Sequence, residues 1–117
     1  MINISKNGKN IILTDGLKVV KLATGFNIID LSNNENYAAA TLETPAQANI
    51  ENLYLFDNEL NLVNKLKAPK NISQGNIFTD VKFVDDFTDL MRLRDWDGHQ
   101  YFIYGKNGSI VKKDFNK

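Results

Sequence analysis

The residues of this chain with the greatest chemical potential stand together at residues 92–101, RLRDWDGHQY, which hold the only Trp, the only His and both Arg of the sequence. Asp95, Asp97 and Gly98 match part of a calcium-loop spacing. Calcium takes about six to eight oxygens, and the third acid and distal Glu of such a loop are missing here. No metal is therefore expected, and Asp97-Gly98 reads as a hairpin turn, where glycine supplies the positive φ. His99 has Ser109 and several aspartates in its sequence neighbourhood, but no G-x-S-x-G elbow and no second His accompany it. No catalytic residue and no cofactor are assigned, and the protein is expected not to be an enzyme. What remains is recognition. Trp96, Arg94 and Tyr101 are residue types that dominate binding hot spots; with Trp96 outward, Arg94, Trp96, Asp97 and His99 form one candidate partner-binding surface, and with Trp96 inward it is simply core.

Other charged stretches carry less. The run DDFTD at 85–89 is a turn whose carboxylates cap backbone amides, not a pair of acids drawn from separate strands as a glycosidase requires. The GKNG stretch at 105–108 leads into a strand and lacks the helix N-terminus that a phosphate loop needs. Net charge is zero, and basic residues interleave with aromatics only weakly, so nucleic-acid binding is not expected. Charge is nonetheless segregated. Between Lys21 and Lys65 there is no Lys or Arg, while Asp30, Glu35, Glu43, Glu51, Asp57 and Glu59 all fall there. This acidic region, represented by Glu35, Glu43 and Glu51, is the second candidate partner-binding surface; the alternative is that strand and turn residues scatter these charges around the surface. A short basic stretch, Lys65, Lys67 and Lys70, follows it.

These residues need a scaffold, and the chain supplies strands. At 117 residues it is read as one domain, 1–117, large enough for a core without metal or disulfide support. It contains no cysteine, and no window approaches the roughly 18 apolar residues of a membrane helix. The polar start, MINISKNGKN, lacks the apolar core of a secretory signal. A cytoplasmic protein without membrane contact is the expectation. Asn7-Gly8, Asp15-Gly16, 57–59, Asp97-Gly98 and 106–108 are turn chemistry between apolar runs. About ten or eleven short strands follow from that pattern, with at most one helical turn, near 45–52.

Three stretches look like one hairpin written three times: IILTDGLKVVKL (11–22), LYLFDNELNLVNKL (53–66) and YFIYGKNGSIVKKD (101–114). Their returning Val20, Val63 and Val111 are 43 and 48 residues apart, a period of supersecondary size. Strands at 27–31 and 37–42 precede the second hairpin, and strands at 79–84 and 90–96 precede the third. The expected fold is all-β, with hairpin units near 1–22, 27–66 and 78–115. A four-strand unit ending in an outer hairpin resembles a β-propeller blade in length and order, and the first unit would lack its innermost strand. Trefoil-like units, or a meander sandwich or barrel, are the alternatives. The predicted core is Ile12, Val20, Ile29, Ala39, Leu53, Leu55, Val63, Val81, Phe83, Leu93, Phe102 and Val111. Residues 2–5 and 109–115 are the expected open edges, which favour a homo-oligomer. The functional expectation is a protein-binding module, an inhibitor, immunity-type partner or assembly subunit, with a carbohydrate-binding, lectin-like module as the alternative.

Overall fold

The structure, a computed structural model, describes residues 2–69 and 75–115; Lys70 and the middle of the 67–76 connection lie outside them. Among the described residues eleven strands are present: β1 (Asn3–Asn7), β2 (Asn10–Thr14), β3 (Val19–Ala23), β4 (Ile28–Asn33), β5 (Tyr37–Leu42), β6 (Leu53–Asp57), β7 (Leu62–Leu66), β8 (Phe78–Phe83), β9 (Leu90–Asp95), β10 (His99–Tyr104) and β11 (Ser109–Phe115). A 3₁₀ turn, Ala46–Ala48, stands in the β5–β6 connection. The strands form three antiparallel meanders: β1-β2-β3, β4-β5-β6-β7 and β8-β9-β10-β11. Turn chemistry sets them, as at Gly98, whose φ of 90° joins β9 to β10.

The three sheets stack face to face, with the second in the middle. Strand β5 shows why. Ala38, Ala40 and Leu42 pack toward the first sheet with Ile2, Ile11, Leu13 and Phe56. Ala39, alternating with them, packs toward the third sheet with Leu55, Phe78, Leu93 and Tyr101. A strand buried on both faces needs small side chains where two sheets close on it, and YAAATL provides them.

The two four-stranded sheets repeat down to their irregularities. In β4, Ile28 pairs with Leu42 and Asp30 with Thr41, leaving Ile29 as an extra residue. In β8, Phe78 pairs with Asp95 and Asp80 with Arg94, leaving Thr79. The outermost strands bulge at Val63 and at Val111 in the same way. Strand β1 sits against β4 as β5 sits against β8. The first sheet therefore corresponds to the last three strands of a four-stranded unit. These are blade-like units in a row, not a trefoil or a single closed barrel.

The bulges correct the predicted core. Ala39, Leu53, Leu55, Val81, Phe83 and Leu93 are buried. Ile29, Val63 and Val111 are exposed because each is the extra residue of a bulge, and one inserted residue breaks the two-residue alternation that the sequence reading assumes. Val20 lies on the edge strand β3 and is exposed, while Ile12 and Phe102 are half-buried on faces that no other sheet covers. Their neighbours Ile11, Leu13, Tyr101 and Ile103 take the core positions.

The sheets are stapled by polar side chains. Asp30 Oδ2 accepts from the Val81 amide at 3.0 Å and Ser32 Oγ from the Phe83 amide at 3.2 Å. Two residues apart on β4, they satisfy edge amides of β8 that no strand pairs. Buried Asn52 donates to the Leu42 and Phe78 carbonyls at 2.9 and 2.8 Å and accepts from the Phe78 amide at 3.0 Å. Asn34 donates to the Asp85 and Thr88 carbonyls, joining the β4–β5 turn to the β8–β9 loop. Asp30 thus belongs to the framework and not to an open acidic surface.

Candidate functional site

Strand β9 runs Leu90–Asp95 with alternating burial: Met91, Leu93 and Asp95 face inward, and Arg92 and Arg94 face outward. The strand ends on a buried carboxylate. Asp95 Oδ2 accepts from Tyr101 Oη at 2.7 Å and from Asn76 Nδ2 at 2.8 Å, and Oδ1 accepts from the His99 amide at 2.9 Å. The His99 imidazole Nδ1 lies 3.7 Å from Oδ1. Tyr101 in turn stands edge-on to Phe78, with ring centroids 6.0 Å apart. A buried carboxylate costs several kcal/mol unless donors surround it, and here three donors converge on it. The β9–β10 turn is fixed from beneath.

Trp96 rides on this hub. Its amide donates to the Ile77 carbonyl at 3.0 Å, while its side chain is 66 % exposed. The indole is therefore held outward at the surface and is not part of the core. Arg94 lies on the uncovered face of the third sheet, 3.6 Å from Asp80 Oδ2, with Nε donating to Gln100 Oε1 at 3.4 Å. His99 is half-buried beside the hub, and Asp97 is half-exposed in the turn.

The three acidic candidates do not form one patch. Glu51 precedes Asn52, whose side chain binds Phe78, and Phe78 pairs with Asp95. Glu43, whose carboxylate accepts from Asn27 Nδ2 at 3.1 Å, follows β5 at that same end. Both are exposed and share the end of the sheets that carries Trp96, Asp97 and His99. Glu35 stands in the β4–β5 turn, its amide donating to the Asp86 carbonyl at 2.9 Å. That is the opposite end, a full strand length away, about 20 Å for six residues. A linear acidic run is folded onto two ends because β5 crosses the sheet between Glu35 and Glu43.

Two turn aspartates at the Glu35 end are held below the ordinary aspartate range. Asp85 accepts from the Thr88 amide first, then from the Thr88 hydroxyl and the Phe87 amide, and Asp15 accepts from the amides of Lys18 and Leu17. These carboxylates close turns, as their sequence context implied. On the same end Lys106 is pushed up by a hydrogen bond to the Tyr37 side chain. Among the described residues no group of three or more His, Asp or Glu is placed to hold a metal ion. No helix among them is long and apolar enough to cross a membrane.

What the sequence reading missed is the uncovered face of the third sheet. Registers place Lys82, Arg92, Phe102 and Lys112 in one row across β8, β9, β10 and β11. The neighbouring row is Asp80, Arg94, Gln100 and Asp114. No linear segment contains this surface; pairing of four strands assembles it.

No family model and no curated protein matches the chain. Solved structures do. The chain is similar to a protein of unknown function from Bacteroides caccae, with a TM-score of 0.60 and 9 % identity, over 96 % of this chain and 39 % of that one. It is also similar to the Pan2 WD40 domain of Neurospora crassa, with a TM-score of 0.53 and 9 % identity, over 97 % of this chain and 35 % of that one. The chain spans under two-fifths of each. At such identity the likeness shows fold alone, and the WD40 neighbour agrees with the blade-like reading of the three sheets.

Proposed function

We propose that the protein is a non-enzymatic protein-binding module whose partner docks at the end of the sheets that carries Trp96. The carrying observation is the exposed indole on a turn fixed by the buried Asp95 hub. Preorganised aromatic side chains contribute most to binding because little conformational freedom is lost when they are covered. Arg94, Asp97 and His99, neighbours of Trp96 in the chain, are the further residues assigned to this surface. Glu43 and Glu51 give that end an acidic rim, which would steer a basic partner and make association salt-sensitive. The likeness to a WD40 domain is compatible with a recognition role and adds fold-level support only. The open edge of β1 makes self-association part of the proposal, and the cysteine-free composition suits a cytoplasmic setting.

Exposure of Trp96 also favours a second reading, stacking on a sugar ring. Against it, neither of the other two units carries a Trp, whereas a repeated lectin would repeat its aromatic. The test is capture from host extract with the wild-type chain and Trp96→Ala. Loss of one defined protein partner with the fold intact supports the module. Loss of oligosaccharide binding instead selects the sugar reading. Unchanged capture by Trp96→Ala removes this surface from consideration.

A further inference from the structure

The uncovered face of the third sheet carries an electrostatic imbalance. Lys82 and Arg92 are direct cross-strand partners on β8 and β9. Such pairs hold their Cβ atoms about 4.5–5.5 Å apart, and like charges there are mutually repulsive. The other charges on this face are matched: Arg94 with Asp80 at 3.6 Å, and Lys112 with Asp114 at 3.4 Å. Lys82 and Arg92 have neither an ion pair nor a side-chain hydrogen bond among the described residues. Together with Val84 and Phe102 they line an open depression of about 230 Å³. The faces by which these sheets pack on one another are apolar, so this face is not built to receive a further sheet of the same kind.

We infer that Lys82 and Arg92 form a carboxylate-binding subsite and that Phe102 and Val84 receive the apolar group next to that carboxylate. The occupant is an acidic peptide segment of a protein partner, so the source of the carboxylate rests on the protein-binding reading above. A guanidinium binds a carboxylate through two parallel N–H donors, and a neighbouring ammonium adds a point charge. Charge complementarity selects a peptide over a nucleic acid. The Arg94–Asp80 and Lys112–Asp114 ion pairs border the two cations and leave an isolated pair instead of the continuous cationic track that a phosphate backbone follows, and a single carboxylate fits between the two cations. The ligand neutralises a pair that repels itself in the free protein.

The test uses the full chain and small probes, so it is independent of any partner. 3-Phenylpropionate, its neutral amide, inorganic phosphate and the acetylated, amidated peptide Glu-Phe-Glu are titrated while ¹⁵N chemical shifts are followed. Phenylpropionate is expected to shift Lys82, Arg92 and Phe102 in the millimolar range, the amide at least tenfold more weakly, and the peptide more tightly than phenylpropionate. Lys82→Gln and Arg92→Gln should each weaken peptide binding about tenfold, while Lys112→Gln stays within twofold. Lys82→Gln should also leave the melting temperature of the free protein level or higher, since it removes repulsion, and abolish the rise caused by peptide. Shifts elsewhere, equal binding of acid and amide, or phosphate binding as tight as the peptide would overturn the subsite. If binding is displaced by dimerisation that Lys82→Gln abolishes, the occupant is a second copy and the peptide assignment is wrong. Success here combined with unchanged capture by Trp96→Ala would uphold the subsite and refute only the Trp96 surface.

Discussion

Replacing Asp95 by Ala tests whether the Trp96 turn is truly anchored from below. The change removes the acceptor of three hydrogen bonds, from Tyr101 Oη at 2.7 Å, Asn76 Nδ2 at 2.8 Å and the His99 amide at 2.9 Å. Bonds to a charged acceptor contribute about 1.5–3 kcal/mol each, and donors left buried without a partner cost about 1–3 kcal/mol. Summing the three overstates the loss, because removing Asp95 also relieves the cost of burying its charge. Breaking one side of a buried charged network costs about 3–5 kcal/mol, and that is the expected destabilisation. For a domain of this size it corresponds to a fall in Tm of roughly 10–20 °C. Asp95→Asn should recover little, because its amide NH₂ faces donors. Tyr101→Phe alone should cost about 1–2 kcal/mol, and Asp95→Ala should cost less by a similar amount in that background. Urea unfolding followed by far-ultraviolet circular dichroism measures the wild type and all four variants. A cost below about 0.5 kcal/mol for Asp95→Ala would show that the hub holds nothing, and the rigid-turn argument for Trp96 would go with it.

Leu93→Ala should cost about 2–5 kcal/mol, because Leu93 is fully buried between the second and third sheets. Val111→Ala should stay within about 0.5 kcal/mol, because the bulge leaves Val111 60 % exposed; urea midpoints that rank them the other way would refute the bulge assignment. Gly75→Ala places a Cβ against the Ala46 carbonyl, so a loss of about 1–3 kcal/mol is expected in thermal unfolding. Asp85 has a folded pKa below its ordinary value of 3.8, held there by Thr88. Its contribution to stability is therefore complete above the unfolded value and is lost as pH falls below about 4 through the depressed folded value. A ¹³C carboxyl titration should find the midpoint below 3.8, and Thr88→Ala should raise it; a midpoint at or above 3.8 contradicts the turn geometry.

The strands were legible because turn chemistry is local. Asp15-Gly16, Asp97-Gly98 and the Asn107-Gly108 turn declare themselves whatever surrounds them, and all sit between observed strands. The repeat was legible too, since Val63 and Val111 occupy equivalent places. Those places are bulges, however, and a bulge depends on how two strands pair, so periodicity assigned both residues to the core. The same limit governs the site. Arg94, Trp96, Asp97 and His99 are neighbours in the chain and could be proposed as one surface before any fold was known. Asp95 drew notice in the sequence as a calcium-like acid and not as a buried hub, because its donors arrive from distant parts of the chain, Tyr101 on β10 and Asn76 in the connection before β8. Glu35 was grouped with Glu43 and Glu51 by a linear charge run that β5 folds onto opposite ends. The row Lys82, Arg92, Phe102 and Lys112 exists only once four strands lie in register. The sequence alone determines which segments become strands and where they turn; strand pairing and sheet stacking decide which faces are buried and which distant side chains meet, because those contacts span tens of residues and leave no local signature.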